Sequence, residues 1–384
     1  MSLRRPGFWA RQAKSSYKNQ INIPFSHHTQ TQTPTSTSTS TSASTSASAD
    51  KMHLHHLALL GAIPLSLAHP SPSTPSITEL FAYPPTNPIF LENLLPLPDS
   101  RLLLSSFSPS LLLFSPNSPT TPTALTPFPN CTSYTGLTSL SPTTYAVTGG
   151  VMAGLGFDPT TTALHIFSLP PNSTTPTLLN SIPLNYPLPN GLLALPSNKS
   201  IILSADSLTG SILRIDTTAN TVTTILQSPQ LLGGTVFPLG INGLAVRPLF
   251  DGYLYFTVSG QGYFGRIKLS NQGYIPSGSQ IQVLAQIQNP GWVNAFDDLD
   301  FDHTGKSAYI AWQRGRVVKV TQAAWGQQWT QEAIINGTED VTLKGVTAVK
   351  FAKGWSGRKV LFATTGGLEG ENDQVGGQVV RIDL

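Results

Sequence analysis

One short motif returns through the chain: a polar residue, then glycine or a second polar residue, then leucine. It stands at Glu92-Asn93-Leu94, Thr135-Gly136-Leu137, Asn190-Gly191-Leu192, Asn242-Gly243-Leu244 and Asp297-Asp298-Leu299. The leucines are 43, 55, 52 and 55 residues apart, the period of a propeller blade rather than of a helical solenoid. After each motif comes a turn, an apolar strand ending in small or polar residues, and a third strand. In the third unit these are Ile201–Asp206 and Ser211–Asp216; in the fourth, Tyr253–Gly260 and Phe264–Leu269. A weaker fourth strand follows in places, such as Thr221–Leu226 or Gln280–Ala285. The sixth unit, Val346–Phe351, Val360–Gly367 and Gln378–Leu384, ends the chain after its third strand. The segment Ile77–Tyr83 is therefore expected to supply the missing strand and close the ring. The pattern predicts an all-β, six-bladed β-propeller over residues 77–384, with only short, protected sheet edges.

Composition agrees and excludes several partner classes. Gly and Pro number 32 each, a density of turn formers that suits many short strands. Charged residues make up 11% and the net charge is +3, too weak a bias to argue for nucleic acid. The longest apolar run, Leu57–Leu67, is too short to span a bilayer. The single cysteine, Cys131, can form neither an intramolecular disulfide nor a cysteine metal cluster. No nucleotide or redox cofactor is expected; the expected partner is a small-molecule substrate.

The first 76 residues read as something other than fold. Thr35–Ala49 is entirely Ser, Thr and Ala, and such a stretch cannot bury enough apolar surface to order itself. Residues 1–51 are expected to be disordered: either a misassigned start, with translation beginning at Met52, or a basic, acid-poor targeting leader. Residues 52–68 have the layout of a signal peptide, cleaved after Ala68, with 69–76 a linker. Asn-x-Ser/Thr sequons at Asn130, Asn172, Asn198 and Asn336 fit a secreted glycoprotein. Six of the eight histidines precede residue 77. The other two, His165 and His303, are expected on the surface.

The third-unit stretches Pro189-Asn190-Gly191-Leu192 and Ala205-Asp206-Ser207-Leu208-Thr209-Gly210-Ser211-Ile212 resemble the gluconolactonase and senescence-marker-protein family. So do Phe90–Pro98, Gly240–Leu244 and Asp297–Asp302. Paraoxonase and strictosidine synthase are more distant six-bladed relatives. The resemblance implies one divalent cation, usually calcium, where the inner strands converge. Its ligands would be Glu92, Asn190, Asn242 and Asp298, with Asp297 as an alternative. Asp298 and Glu92 would be the catalytic carboxylates. Hard oxygen donors of this kind suit calcium. Asn-Gly and Asp-Asp ahead of an apolar strand also suit tight turns.

Aromatic residues crowd the expected rim: Tyr186, Phe237, Tyr263, Trp292, Phe296 and Trp312. Blade packing is the other use for such side chains. A dry pocket of this kind suits an apolar ligand better than a sugar lactone. In length, signal peptide and low charge the chain resembles a fungal secreted branch of this fold. That branch includes hetero-Diels–Alderases of secondary metabolism, which join a polyene terpene to a heterodiene such as a tropolone quinone methide. The resemblance places such a pericyclase first, a calcium-dependent lactonase second and a non-catalytic ligand-binding propeller third.

Overall fold

The computed structural model describes residues 75–322, 328–336, 343–352, 359–367 and 375–384. The expected leader, the expected signal peptide and nearly all of the expected linker lie outside the described residues. The chain forms six four-stranded antiparallel sheets, the expected six-bladed propeller. Their innermost strands are Leu91–Pro96, Ser133–Ser139, Pro189–Ala194, Ile241–Ala245, Phe296–Phe301 and Val346–Phe351, blades 1 to 6 in chain order. The N-terminal strand Ser76–Ala82 pairs antiparallel with the C-terminal strand Gln378–Asp383 and becomes the outer strand of blade 6. The two ends of the propeller are thereby hydrogen-bonded into one sheet. Blade 2 also carries a small extra hairpin, Met152–Ala153 with Gly156–Phe157. Among the described residues no helix is long and apolar enough to cross a membrane.

The apolar residues that alternate along each strand pack between blades. Six buried clusters result, each shared by two neighbouring blades. Leu103, Tyr134 and Phe167 join blades 1 and 2. Phe256 and Ile241 pack with Leu203 across blades 3 and 4. Leu91, Leu104 and Phe362 close the seam between blades 6 and 1. No blade has a core of its own, so every blade depends on two neighbours.

Toward the axis, packing gives way to backbone contact. Every inner strand has a register irregularity at the repeating motif: Leu91/Asn93, Tyr134/Leu137, Pro189/Leu192, Ile241/Leu244, Phe296/Leu299 and Val346/Ala348. Such bulges bend a strand and re-aim a side chain. The Asn-Gly pairs are thus mid-strand features and not tight turns. Their glycines allow close approach. A Cβ on Gly136 would lie 2.0 Å from the Asn190 carbonyl oxygen, and one on Gly191 2.1 Å from that of Asn242. Buried hydroxyls also bridge neighbouring blades. Thr135 Oγ1 donates to the Pro189 carbonyl at 2.5 Å, Ser207 Oγ to Ile241 at 2.6 Å, and Thr347 Oγ1 to Leu91 at 2.8 Å.

Gly191→Ala should destabilise the protein by roughly 2–3 kcal/mol, because the new methyl collides with backbone that cannot yield. Gly291→Ala, whose Cβ would meet only Val236 at 3.7 Å, should stay within about 0.5 kcal/mol of wild type. Urea unfolding of both variants measures the difference.

Candidate functional site

The first residue of the repeating motif occupies an equivalent place on each inner strand: Glu92, Thr135, Asn190, Asn242, Asp297 and Thr347 in blades 1 to 6. Two of these, Thr135 and Thr347, spend their hydroxyls on the inter-blade bonds just described. The other four, Glu92, Asn190, Asn242 and Asp297, are oxygen-bearing and buried. They converge. Asn190 of blade 3 hydrogen-bonds Glu92 of blade 1, with blade 2 between them. Asn242 Nδ2 donates to Asp297 Oδ1 at 2.7 Å and to Ser259 Oγ at 3.0 Å. Both N–H groups of that amide are then engaged, which leaves its oxygen as the atom free to meet a cation.

Asp298 sits one residue further along, equivalent to Asn93 and to the close-approach glycines. Its Oδ2 accepts from Asn93 Nδ2 of blade 1 at 2.9 Å and pairs with Lys350 Nζ of blade 6 at 2.8 Å. Its Oδ1 accepts the Leu299 amide at 2.8 Å. Lys350 Nζ also donates to the Leu299 carbonyl at 2.9 Å. Burial alone would lower the Lys350 pKa, but the Asp298 and Asp300 carboxylates outweigh it and hold the ammonium protonated. Asp298 is therefore paired with an ammonium and has a donor on each oxygen.

The remaining carboxylates are costly to hold ionised. Burial, followed by the negative charges of Asp297 and Asp298, raises the Glu92 pKa well above the usual carboxylate range, against the Asn190 hydrogen bond. Burial also pushes Asp297 up to about 7, with Asp298 adding to the shift and hydrogen bonds from Gln313 and Asn242 opposing it. Gln313 Nε2 donates to Asp297 Oδ2 at 2.9 Å. Two desolvated carboxylates and two amide oxygens at the end of a ring are a donor set that fits a hard divalent cation. Among the described residues no group of three or more His, Cys, Asp and Glu side chains is arranged to hold a metal. The set here is a mixed one, in which Asn190 and Asn242 replace carboxylates.

Of the aromatic residues expected at the rim, only some stand there. Tyr263 and Phe296 are buried in the blade cores, where alternation along a strand places them, and Tyr263 Oη donates to the Gln230 carbonyl. Tyr186 packs between blades 2 and 3 and bonds Thr224 on the outer strand of blade 3, away from the axis. Trp312 packs edge-on to Phe296 and donates Nε1–H to Asn294 Oδ1 at 2.9 Å. Phe237 and Trp292 remain as a tilted pair with centroids 4.9 Å apart, in loops on the face where the inner strands begin.

His303 is exposed, as expected. His165 is not a surface residue. It is buried, stacks on Phe128, and places Nε2 3.1 Å from Cys131 Sγ and Nδ1 2.9 Å from Ser181 Oγ. It sits on the third strand of blade 2, so it takes no part in the axial cluster. The sequons at Asn130, Asn172 and Asn198 are exposed, the first two with left-handed backbone at φ 55° and 61°. The Asn336 side chain lies outside the described residues.

Three solved structures illustrate the likeness in fold. A luciferin-regenerating enzyme matches with a TM-score of 0.56 and 15% identity, over 80% of this chain and 95% of that one. Regucalcin, a calcium-binding protein from Agrobacterium tumefaciens, matches with a TM-score of 0.53 and 16% identity, over 79% and 93%. The PQQ-bound aldose sugar dehydrogenase of Streptomyces coelicolor matches with a TM-score of 0.51 and 15% identity, over 81% and 99%. No family model and no curated protein matches the chain. At these identities the likeness establishes the six-bladed propeller and leaves activity to be argued from the site.

Burial lowers the His165 pKa from 6.5 to about 4. The unfolded chain then takes up a proton before the folded one as pH falls. Stability is lost between pH 6.5 and 4 and changes no further from this source below 4. The loss should reach roughly 3 kcal/mol at most. Across this window the unfolding free energy of wild type should fall more steeply with decreasing pH than that of His165→Gln; parallel curves would show that His165 does not titrate as its burial requires.

Proposed function

We propose that the protein is a cation-dependent lactone hydrolase, with Glu92, Asn190, Asn242 and Asp297 holding a divalent cation, calcium by preference. One observation carries the reading: two buried, desolvated carboxylates and two amide groups converge from four blades without a cationic side chain of their own. Lys350, the one ammonium of the cluster, is already committed to Asp298. A bound cation would relieve the repulsion and, as a Lewis acid, polarise a carbonyl.

The chain's own groups supply the rest. Water adds its oxygen to the lactone carbonyl carbon, the ring C–O bond breaks, and the ring oxygen leaves protonated as the new hydroxyl of a hydroxy acid. The water's proton needs an acceptor, and the Asp297 carboxylate, at the axis beside the bound carbonyl, is the group assigned to take it. Asp298 was the base expected from the sequence. Its Oδ2 is paired with the Lys350 ammonium, whereas the Asp297 oxygens accept only from the neutral side-chain amides of Asn242 and Gln313, so the role of Asp298 here is to position Lys350 and the blade 5 strand.

Hydrolysis is placed ahead of the cycloaddition expected from the fungal resemblance. A pericyclic reaction needs a shaped apolar surface and little charge, so a buried carboxylate cluster is expensive equipment for it. No similarity to a known protein supports that finer role. Exposed sequons at Asn130, Asn172 and Asn198 support the secretory-pathway reading that accompanies either activity.

Lactone opening by the full protein should be abolished by a chelator and restored by calcium. Glu92→Gln should lower kcat/KM by about 100-fold or more and weaken calcium binding in calorimetry. Lactone opening that survives chelation, or calcium binding unaffected by Glu92→Gln, would refute the assignment.

A further inference from the structure

Beside the axial cluster, on the face where the inner strands begin, lies a groove of about 550 Å³. One wall comes from the loop between blades 3 and 4, with Thr235 and Val236. The other comes from the loop between blades 4 and 5, with Pro290, Trp292 and Val293, and Gly260 forms part of the lining. The groove is joined to the cluster by covalent neighbours. Gly260 follows Ser259, whose Oγ accepts from Asn242 and donates to the Phe296 carbonyl at 2.7 Å. Asn294, also on the lining, is bonded to Trp312, and the next residue, Gln313, holds Asp297.

No ionisable residue lines the groove, so it offers nothing to a phosphate, a carboxylate or an ammonium. Most of its polar groups are spent internally. Asn294 Nδ2 donates to the Gln288 and Asn289 carbonyls, and its Oδ1 accepts from Trp312. The amides of Gly291 and Asn294 exchange bonds with each other's carbonyls at 3.0 Å. Those of Gly234 and Gly260 donate to Phe237 and Leu239. Recognition of a polyhydroxylated sugar needs several placed donors and acceptors; of the side chains here only the Thr235 hydroxyl and the Asn289 amide remain to offer them. What it presents is apolar: Val236, 62% exposed, Pro290, Val293 and the half-buried ring of Trp292, braced from behind by buried Phe237.

We infer that this groove binds an uncharged apolar arm carried next to the lactone that reacts at the axial cluster, and so selects alkyl- or aryl-substituted lactones over sugar lactones. The inference rests on the hydrolase reading for the identity of the reacting group and on the groove alone for the arm. A loop contributed by each of two blade junctions clasps the arm, while the cluster holds the carbonyl.

The test compares a δ-lactone bearing a hexyl chain with unsubstituted δ-valerolactone, in wild type, Trp292→Ala and Val236→Asp. Val236 is exposed, so its variant keeps the fold even if Trp292→Ala does not. The ratio of kcat/KM, hexyl over unsubstituted, should exceed 10 in wild type and fall tenfold or more in both variants. In parallel, calorimetry follows binding of the hexyl-substituted lactam, which the protein cannot open. A ratio near 1 in wild type, or one unchanged by both substitutions, overturns the groove assignment and leaves the hydrolase standing. Failure to open either lactone, with lactam binding that Val236→Asp weakens tenfold, sinks the hydrolase and upholds the groove. Absence of lactam binding together with absence of turnover overturns both.

Discussion

The contact between successive inner strands at the axis is the constraint on which the rest of this structure depends. At Gly136 and Gly191 the backbone of one blade comes so close to the next that no side chain fits. That approach is possible only because each inner strand is irregular at the same point. The irregularity also decides what happens one residue earlier. With the glycine position pressed against the neighbouring blade, the preceding residue is turned to the axis. Four such residues from four blades then share one small volume, and Glu92 reaches an amide two blades away. Fold and candidate site are therefore consequences of the same local geometry.

Charge accounts for how that volume is furnished. Three carboxylates within reach of one another cannot all be ionised without a counter-charge. The structure answers for one of them with a half-buried lysine from blade 6, fixed by the Asp298 carboxylate and the Leu299 carbonyl together. Glu92 and Asp297 receive only amide hydrogen bonds, and both hold their protons more tightly than usual. An uncompensated buried carboxylate costs stability that a folded chain recovers only through a function or a ligand. The position of the lysine thus divides the cluster into a half with a cationic partner, Asp298, and a half held by neutral amides, Glu92 and Asp297.

Much of this was legible in the sequence, and the reason is periodicity. Repeated strand patterns announced six blades and an N-terminal strand that completes the last one, because strand alternation and turn residues leave local traces. Glu92, Asn190 and Asn242 were legible for the same reason, being at matching places in the repeat. The choice between Asp297 and Asp298 was harder, because adjacent carboxylates look alike in a sequence. The motif did contain the signal: Asp297 aligns with Asn190 and Asn242, whereas Asp298 aligns with Gly191 and Gly243. Lys350 was missed, since nothing local marks a lysine whose partner is 52 residues earlier on another blade. His165 was misplaced for a similar reason; its burial depends on Phe128 and Cys131 from the loop before its blade. The rim aromatics were half legible. Composition shows that aromatic side chains are present, but only three-dimensional packing separates Phe296 in a blade core from Trp292 at a groove.

Crystals soaked in manganese, a divalent cation visible by anomalous scattering, test the central claim most directly. The account expects one strong anomalous peak on the propeller axis, at roughly 2.0–2.6 Å from oxygens of Glu92, Asn190, Asn242 and Asp297, with Asp298 still paired to Lys350. A peak coordinated by Asp298 in place of Asp297, a peak elsewhere on the propeller, or no peak at millimolar manganese would contradict it.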